Sequence, residues 1–390
     1  MGQELLCELD GVLHMVWECP DKWFGGINII FSSDLYQHEL VGKHALFMPV
    51  PKSTSTRKRS EAGETKNRQG HIGWKQVDTV IELTEQKRMM DDADYVEAVL
   101  RYRKCESTLD DVELFNSWLI KSLENPHGVD LGTPAYWDAS AIVSHNRTCQ
   151  ILNLDKALAQ TTGGHAPRLI RCHAKHTTRG KTEVPADIHT HFVDLEGLSD
   201  DNKSQPPVLD LYIGAPMVVQ QGNISIELGV TMGAQGIVRS LEQLNSGDIH
   251  ASLAIVEFPH GNFQLDGLPR NYFPIKATSR WVSQVMWEKN DDSHWQIHVH
   301  ATWYQLPFEL AFAVTAHSAQ GKTMLCVVCD LNTSDVGGYV AASRAHTREG
   351  LVIMHKAVHE SFANQAKKRF LRYFRLQVKI WKTQNQLPLV

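Results

Sequence analysis

The chain has 390 residues, 42% of them hydrophobic, and 39 Lys and Arg against 44 Asp and Glu give a formal net charge of −5. That length suffices for two or three domains, and no apolar run approaches the roughly 18–20 residues that a membrane span needs. Seven cysteines, an odd number spread from Cys7 to Cys329, argue against a disulfide framework and for a reducing compartment. The opening MGQELLCELDGVLH carries acids and no basic residue ahead of its apolar core, which is not the pattern of a secretory signal. Global charge does not mark a nucleic-acid binder, so any such binding must come from local patches.

In chain order, KWFGGINIIF predicts a turn followed by a buried strand that ends near Asp34. Residues 51–73 are polar, unpatterned and rich in Lys and Arg, and read as a basic loop. DYVEAVLRYRK and DDVELFNSWLIKSL repeat apolar residues at three- and four-residue spacing and predict helices. ASAIVSH reads as a short buried strand. Residues 157–206, rich in His, Thr, Gly and Pro, yield no assignment. Cys172, His173 and His176, with His189 and His191 further on, could bind zinc, but exposed loop histidines are the commoner case and no metal is expected.

From about 207 to 305 the pattern is β. Trp295, Ile297, Val299, Ala301 and Trp303 alternate with polar residues as in a half-buried strand, and GNISIELGVTMGAQGIV has glycines suited to a small curled barrel. After 306 an α/β pattern resumes. MLCVVCDL reads as a fully buried strand, so its Cys326 and Cys329 are expected in the core. The chain closes on an amphipathic pattern, Leu371, Phe374, Val378 and Trp381 beside Arg372, Arg375, Lys379 and Lys382.

Three blocks, in order and far apart, carry a resemblance. FGGINIIFSSDLYQ contains Asp34 and Gln37 in an Asp-x-x-Gln pattern; QLPFELAFAVTAHSAQGKT contains Thr315, His317, Gln320, Gly321 and Thr323; YVAASRAHTREGL contains Tyr339 and Arg344. ELTEQKR, with Arg88, and SHNRTCQILN, with Asn146, lie between them. Together they resemble the Pif-family, RecD-like superfamily-one DNA helicases, in the flavour of those encoded by Helitron-type transposons.

The resemblance implies an α/β architecture of RecA-like helicase domains. Residues 1–50 would be the end of a first RecA-like domain and 51–73 the basic loop. Residues 74–206 and 306–357 would be two parts of a second such domain, 207–305 an inserted small β-barrel, and 358–390 a basic C-terminal helix. It implies ATP and Mg²⁺ as cofactors and single-stranded DNA as partner, with 5′-to-3′ unwinding in repair, recombination or transposition. Arg344 and Arg88 would stabilise charge on the transferred phosphoryl group, with Asp34 and Gln37 catalytic beside them. Gln320, Gly321, Tyr339 and Arg344 would bind nucleotide, and Asn146, Thr315, His317, Ser318, Thr323, Arg372, Arg375 and Lys379 would bind DNA. Ser33, Glu39, Leu40, Ser318 and Ala319 depart from the family pattern. At 318 the family has a basic residue, whose charge-assisted contact with phosphate is roughly twice as strong as a neutral bond from serine.

The family's phosphate-binding loop, G-x-x-x-x-G-K-S/T, and its Mg²⁺-holding acid pair lie upstream of the FGG block. Here that block starts by residue 24. Gly321-Lys322-Thr323 and Gly180-Lys181-Thr182 lack the earlier glycine, since Ala316 and Lys175 stand there. The expectation is therefore a chain without turnover on its own, joined to a missing N-terminal helicase half. The alternative is an inactive relic that binds DNA or a partner. The nucleus is the expected location, the mitochondrion the second.

Overall fold

The computed structural model describes residues 1–34, 36–37, 44–50, 61–79, 81, 83, 87, 89, 92–136, 139–177, 207–220, 222–243, 250–290, 293–333 and 336–362; for 61, 243, 282–290 and 293–300 it describes the backbone alone. The chain forms two compact units. The first comprises 1–130, 320–325 and 330–390, and the second 131–319 and 326–329. No helix among the described residues is long and apolar enough to cross a membrane.

In the first unit, helix α1 (Gln3–Val16) presents Leu6, Leu9 and Leu13 at three- and four-residue spacing. These side chains pack with Phe24, Leu46, Phe47 and Trp74. Asp10 accepts from the Phe24 backbone N–H at 2.6 Å and fixes the turn at Trp23–Gly26. Helix α2 (Glu61–Trp74) lies against α1. This corrects the loop expected through residue 73. Its first ten residues, 51–60, lie outside the described residues. Gly63, Gly70 and Gly73 suggested a loop because glycine is a poor helix former. Tertiary contact overrides that preference here: a Cβ added at Gly70 would stand 1.8 Å from the Gln3 carbonyl oxygen. The absent side chain lets the two helices meet, and Lys66–Glu8 (2.8 Å) and Asn67–Glu4 (3.0 Å) pair across the contact. Gly70→Ala should therefore destabilise this unit, by roughly 1–3 kcal/mol as for other overpacked sites, despite alanine's higher helix propensity. Hydrogen exchange in α1 and α2 would read the loss.

The buried strand expected to end near Asp34 is also corrected. Residues 27–34 have no strand partner among the described residues, and Ile30 is 93% exposed. Apolar composition alone cannot make a strand when no neighbouring backbone completes its ladder.

Helix α3 (Ala93–Lys104) buries Tyr95, Ala98, Val99 and Tyr102 on one stripe and is capped by Asp92, which accepts from the Tyr95 N–H at 3.1 Å. Helix α4 (Leu109–Asn116) begins with a reciprocal capping box between Thr108 and Asp111. The helix Gly337–Ala342 is wholly buried beside α3. Tyr95 Oη donates to Ala342 O at 2.8 Å and Tyr102 Oη to Leu331 O at 3.0 Å.

The second unit holds parallel strands in the order Ala313–Thr315, Ser140–Val143, Val327–Cys329, with Val143 opposite Thr315 and Ile142 opposite Cys329. MLCVVCDL is a shorter strand than expected. Val327, Val328 and Cys329 are buried, whereas Leu325 is 83% exposed. Helix α5 (Asn146–Gln160) follows Ser140–Val143 after a two-residue turn. Asn153 docks it: its Nδ2 donates to Leu310 O and Ala313 O at 3.0 and 3.1 Å, and its Oδ1 accepts from the Ala313 N–H at 2.8 Å.

The β region contains a five-stranded antiparallel sheet. Its order is Phe308–Leu310, Pro216–Val219, Gln235–Gln243, Ala251–Glu257, Tyr272–Lys276. Among the described residues no pairing joins its two ends. Met217, Val219, Val238, Ala254, Val256, Ile275 and Phe308 form its core. The alternating segment is the strand Ser293–Gln305, paired in register with Thr278–Asn290. Within 157–206, strands Ile170–His173 and Lys175–Thr177 appear, and 178–206 lie outside the described residues.

Candidate functional site

The residues of the Asp-x-x-Gln block converge on one carboxylate. Asp34 Oδ1 accepts from the Tyr36 N–H at 3.1 Å and from Arg103 Nη2 at 2.6 Å. Its Oδ2 accepts from Gln37 Nε2 at 2.9 Å and from Tyr339 Oη at 3.3 Å. Burial alone would raise the pKa of Asp34, but the Arg103 charge and the hydrogen bonds it receives bring it below the ordinary carboxylate value. Arg103 comes one residue after Tyr102, so it leaves the buried stripe of α3, and its guanidinium lies 4.2 Å above the Tyr36 ring. Arg101, on another side of the same helix, is held by Asp111 and Glu97.

Tyr339 links this cluster to Arg344. Burial pushes the Tyr339 hydroxyl up to about 12; Asp34 adds to the rise, and the charges of Arg103 and Arg344 oppose it. Arg344 is only 1% exposed and follows a helix, unlike a surface arginine placed after a strand. Its Nε donates to Val340 O at 3.0 Å, Nη1 to Lys322 O at 3.1 Å and Nη2 to Ser343 Oγ at 2.8 Å. Its own carbonyl accepts from the Met324 N–H at 3.0 Å, so the segment carrying Gln320, Gly321 and Thr323 is fastened to the arginine. Gln320, Gly321 and Thr323 are exposed there, and Gly321 takes φ +83, a left-handed conformation that glycine adopts without strain. Burial lowers the pKa of Lys322, whose Nζ has no hydrogen-bond partner among the described residues.

A second group lies in the second unit, at the carboxyl ends of adjacent parallel strands, where α/β sheets commonly place ligands. Thr315 ends one strand opposite Val143, and Asn146 opens α5 just beyond the other. Thr315 Oγ1 donates to Ser318 Oγ at 3.2 Å and accepts from the Ser318 N–H at 3.4 Å, while His317 is exposed. The structure thus gathers Asp34, Gln37, Tyr339 and Arg344 with Gln320, Gly321 and Thr323 in one unit, and Asn146, Thr315, His317 and Ser318 in the other. Arg88, Arg372, Arg375 and Lys379 lie outside the described residues.

Among the described residues no group of three or more His, Cys, Asp or Glu could hold a metal ion. Cys172 and His176 are buried members of strands, and the His176 ring meets Trp303 edge-on at 5.2 Å. His189 and His191 lie outside the described residues. The sequence reading missed Tyr36, Arg103 and Lys322. Arg103 meets Asp34 from 69 positions away, a separation for which no local pattern exists.

This α/β fold with its parallel sheet is similar to that of solved Pif1 helicase structures. No family model matches the chain. It is 32% identical over 198 residues to the ATP-dependent DNA helicase PIF1 of Danio rerio, covering 46% of this chain and 29% of that protein. With the Rattus norvegicus protein of the same name it shares 29% over 179 residues, 44% of this chain and 24% of the relative. The chain thus spans less than a third of the length of these relatives. The crystal structure of the Candida albicans Pif1 helicase superposes with a TM-score of 0.61 at 18% identity, over 97% of this chain and 74% of that one. Bacteroides Pif1 bound to single-stranded DNA gives 0.57 at 18% identity, over 96% and 72%. Over somewhat less than half of its length the chain is thus similar in sequence to Pif1 DNA helicases.

Proposed function

We propose that this chain supplies the DNA-gripping and arginine-donating part of a Pif-type helicase. The convergence of Asp34, Gln37, Arg103, Tyr339 and Arg344, side chains from three separate blocks of the sequence, carries this reading. Phosphoryl transfer needs cationic groups near the developing phosphate charge, and Arg103 Nε and Lys322 Nζ, which have no hydrogen-bond partner among the described residues, suit a phosphate. They do not fit Mg²⁺: the Asp34 carboxylate is taken up by four donors, and no acid cluster stands beside it among the described residues. We place the phosphate-binding loop and the metal acids in a partner half, in a longer product or a separate chain, so that ATP turnover requires both. In this reading 74–206 and 306–357 form the second RecA-like domain around an inserted β-barrel of 207–305, and the chain belongs to the Helitron-like branch. Arg88 is the further arginine. The chain acts on DNA in the nucleus, or else the mitochondrion, in repair, recombination or transposition. Asn146, Thr315, His317, Ser318 and Thr323 contact single-stranded DNA, together with Arg372, Arg375 and Lys379.

Fluorescence anisotropy with a labelled single strand tests the DNA site. Binding should be weak and should fall linearly in log affinity against log salt, because neutralised phosphates release counterions. Ser318→Lys should tighten it several-fold, since a charge-assisted contact replaces a neutral one. Salt-independent binding, or none at low salt, contradicts the reading.

A further inference from the structure

Arg103 stands apart from the other paired arginines of the first unit. Arg101 and Arg348, 38% and 30% exposed against 26% for Arg103, each bond a carboxylate through Nε. Arg103 is inserted between the Tyr36 ring and the Asp34 carboxylate, and its Nε is buried with no hydrogen-bond partner among the described residues. The Arg103 guanidinium and the Tyr339 hydroxyl therefore meet on the one Asp34 carboxylate. A forked cation with a spare N–H, stacked on an aromatic face, is suited to holding a tetrahedral oxyanion. A carboxylate already seated on it is what an internal substitute for that oxyanion would look like.

We propose that Arg103 is a phosphate-binding arginine beside Arg344, and that Asp34 occupies it as a stand-in anion until a phosphate group displaces the carboxylate. This rests on the reading of the cluster as a nucleotide-phosphate site. The displaced Asp34 keeps its bonds from Tyr36 N–H and Tyr339 Oη, so the exchange leaves neither carboxylate nor guanidinium stranded. Gln37, held by the same carboxylate, sits where it would register the exchange.

The test is calorimetric titration of inorganic pyrophosphate into the full chain at low ionic strength. Asp34→Asn removes the competitor and should tighten binding about tenfold, the scale of one charge-assisted contact. Arg103→Gln should weaken it about tenfold, and Arg103→Lys should fall between, because a point charge does not reproduce the fork. The double variant Asp34→Asn, Arg103→Gln strands no carboxylate and should bind as weakly as Arg103→Gln alone, which separates loss of the arginine from damage to the fold. A merely structural ion pair would not make Asp34→Asn bind better than the unaltered chain. Unchanged affinity in Arg103→Gln, weaker binding in Asp34→Asn, or no binding by any form overturns the proposal. Single-stranded DNA binding is measured on the same samples. If pyrophosphate follows the expected order while DNA does not bind, the anion site stands and the helicase reading falls.

Discussion

Glu309→Gln is expected to stabilise the second unit at pH 8 by several kcal/mol and to flatten its pH dependence. Glu309 lies in the strand Phe308–Leu310, 5% exposed, and accepts a hydrogen bond from Gln220 Nε2. Burial raises its pKa to about 8, and the Gln220 bond only partly offsets this. In the unfolded chain the same carboxyl titrates near 4.3. The folded state therefore keeps a proton that the unfolded state has released. Stability from this group is fully present below the unfolded value and is lost as pH rises through the folded one. Over that interval the loss is on the order of 3–5 kcal/mol, at 1.36 kcal/mol per pKa unit. Glutamine keeps the shape and the hydrogen-bonding reach without the proton. Hydrogen exchange in strands Pro216–Val219 and Ala313–Thr315 between pH 5 and 9 would read this. A parallel loss of protection with rising pH in the unaltered chain and in Glu309→Gln would contradict the assignment.

Local pattern carried the sequence reading where an element satisfies itself. The strand within ASAIVSH could be read because a short apolar run ends at polar residues. The Trp295–Trp303 alternation could be read because it has the two-residue period of a strand. The misreadings fall where a distant partner decides. Helix α2 carries three glycines, which suggest a loop, and one of them, Gly70, admits the Gln3 backbone of the neighbouring helix. Residues 27–34 have the apolar content of a strand but no ladder among the described residues. Asp34 and Arg344 were legible as members of patterned blocks, but their surroundings were not. Arg103 and Tyr36 join the site only through folding, and Glu309 sits in an apolar run that gives no sign its carboxyl will be sealed from water.

The largest expected effect concerns Arg344. We expect that grafting the N-terminal ATP-binding half of a related Pif-type helicase ahead of Trp23 yields a chimera that hydrolyses ATP. In that chimera Arg344→Ala should remove turnover and leave nucleotide binding nearly intact. Arginines delivered to a transferring phosphoryl group contribute on the order of 10³–10⁵ in rate. Three hydrogen bonds, to Val340 O, Lys322 O and Ser343 Oγ, fix the plane of Arg344, and in the proposed role that order would leave little reorganisation when charge develops. Lysine should not rescue, because it can satisfy neither the fork nor those three acceptors together.

DNA-stimulated phosphate release, measured side by side on the chain alone, the chimera and the chimera with Arg344→Ala, tests the account most directly. Turnover is expected in the chimera only. Ordinary helicase turnover by the chain alone, or equal turnover by the chimera with and without Arg344, would contradict it.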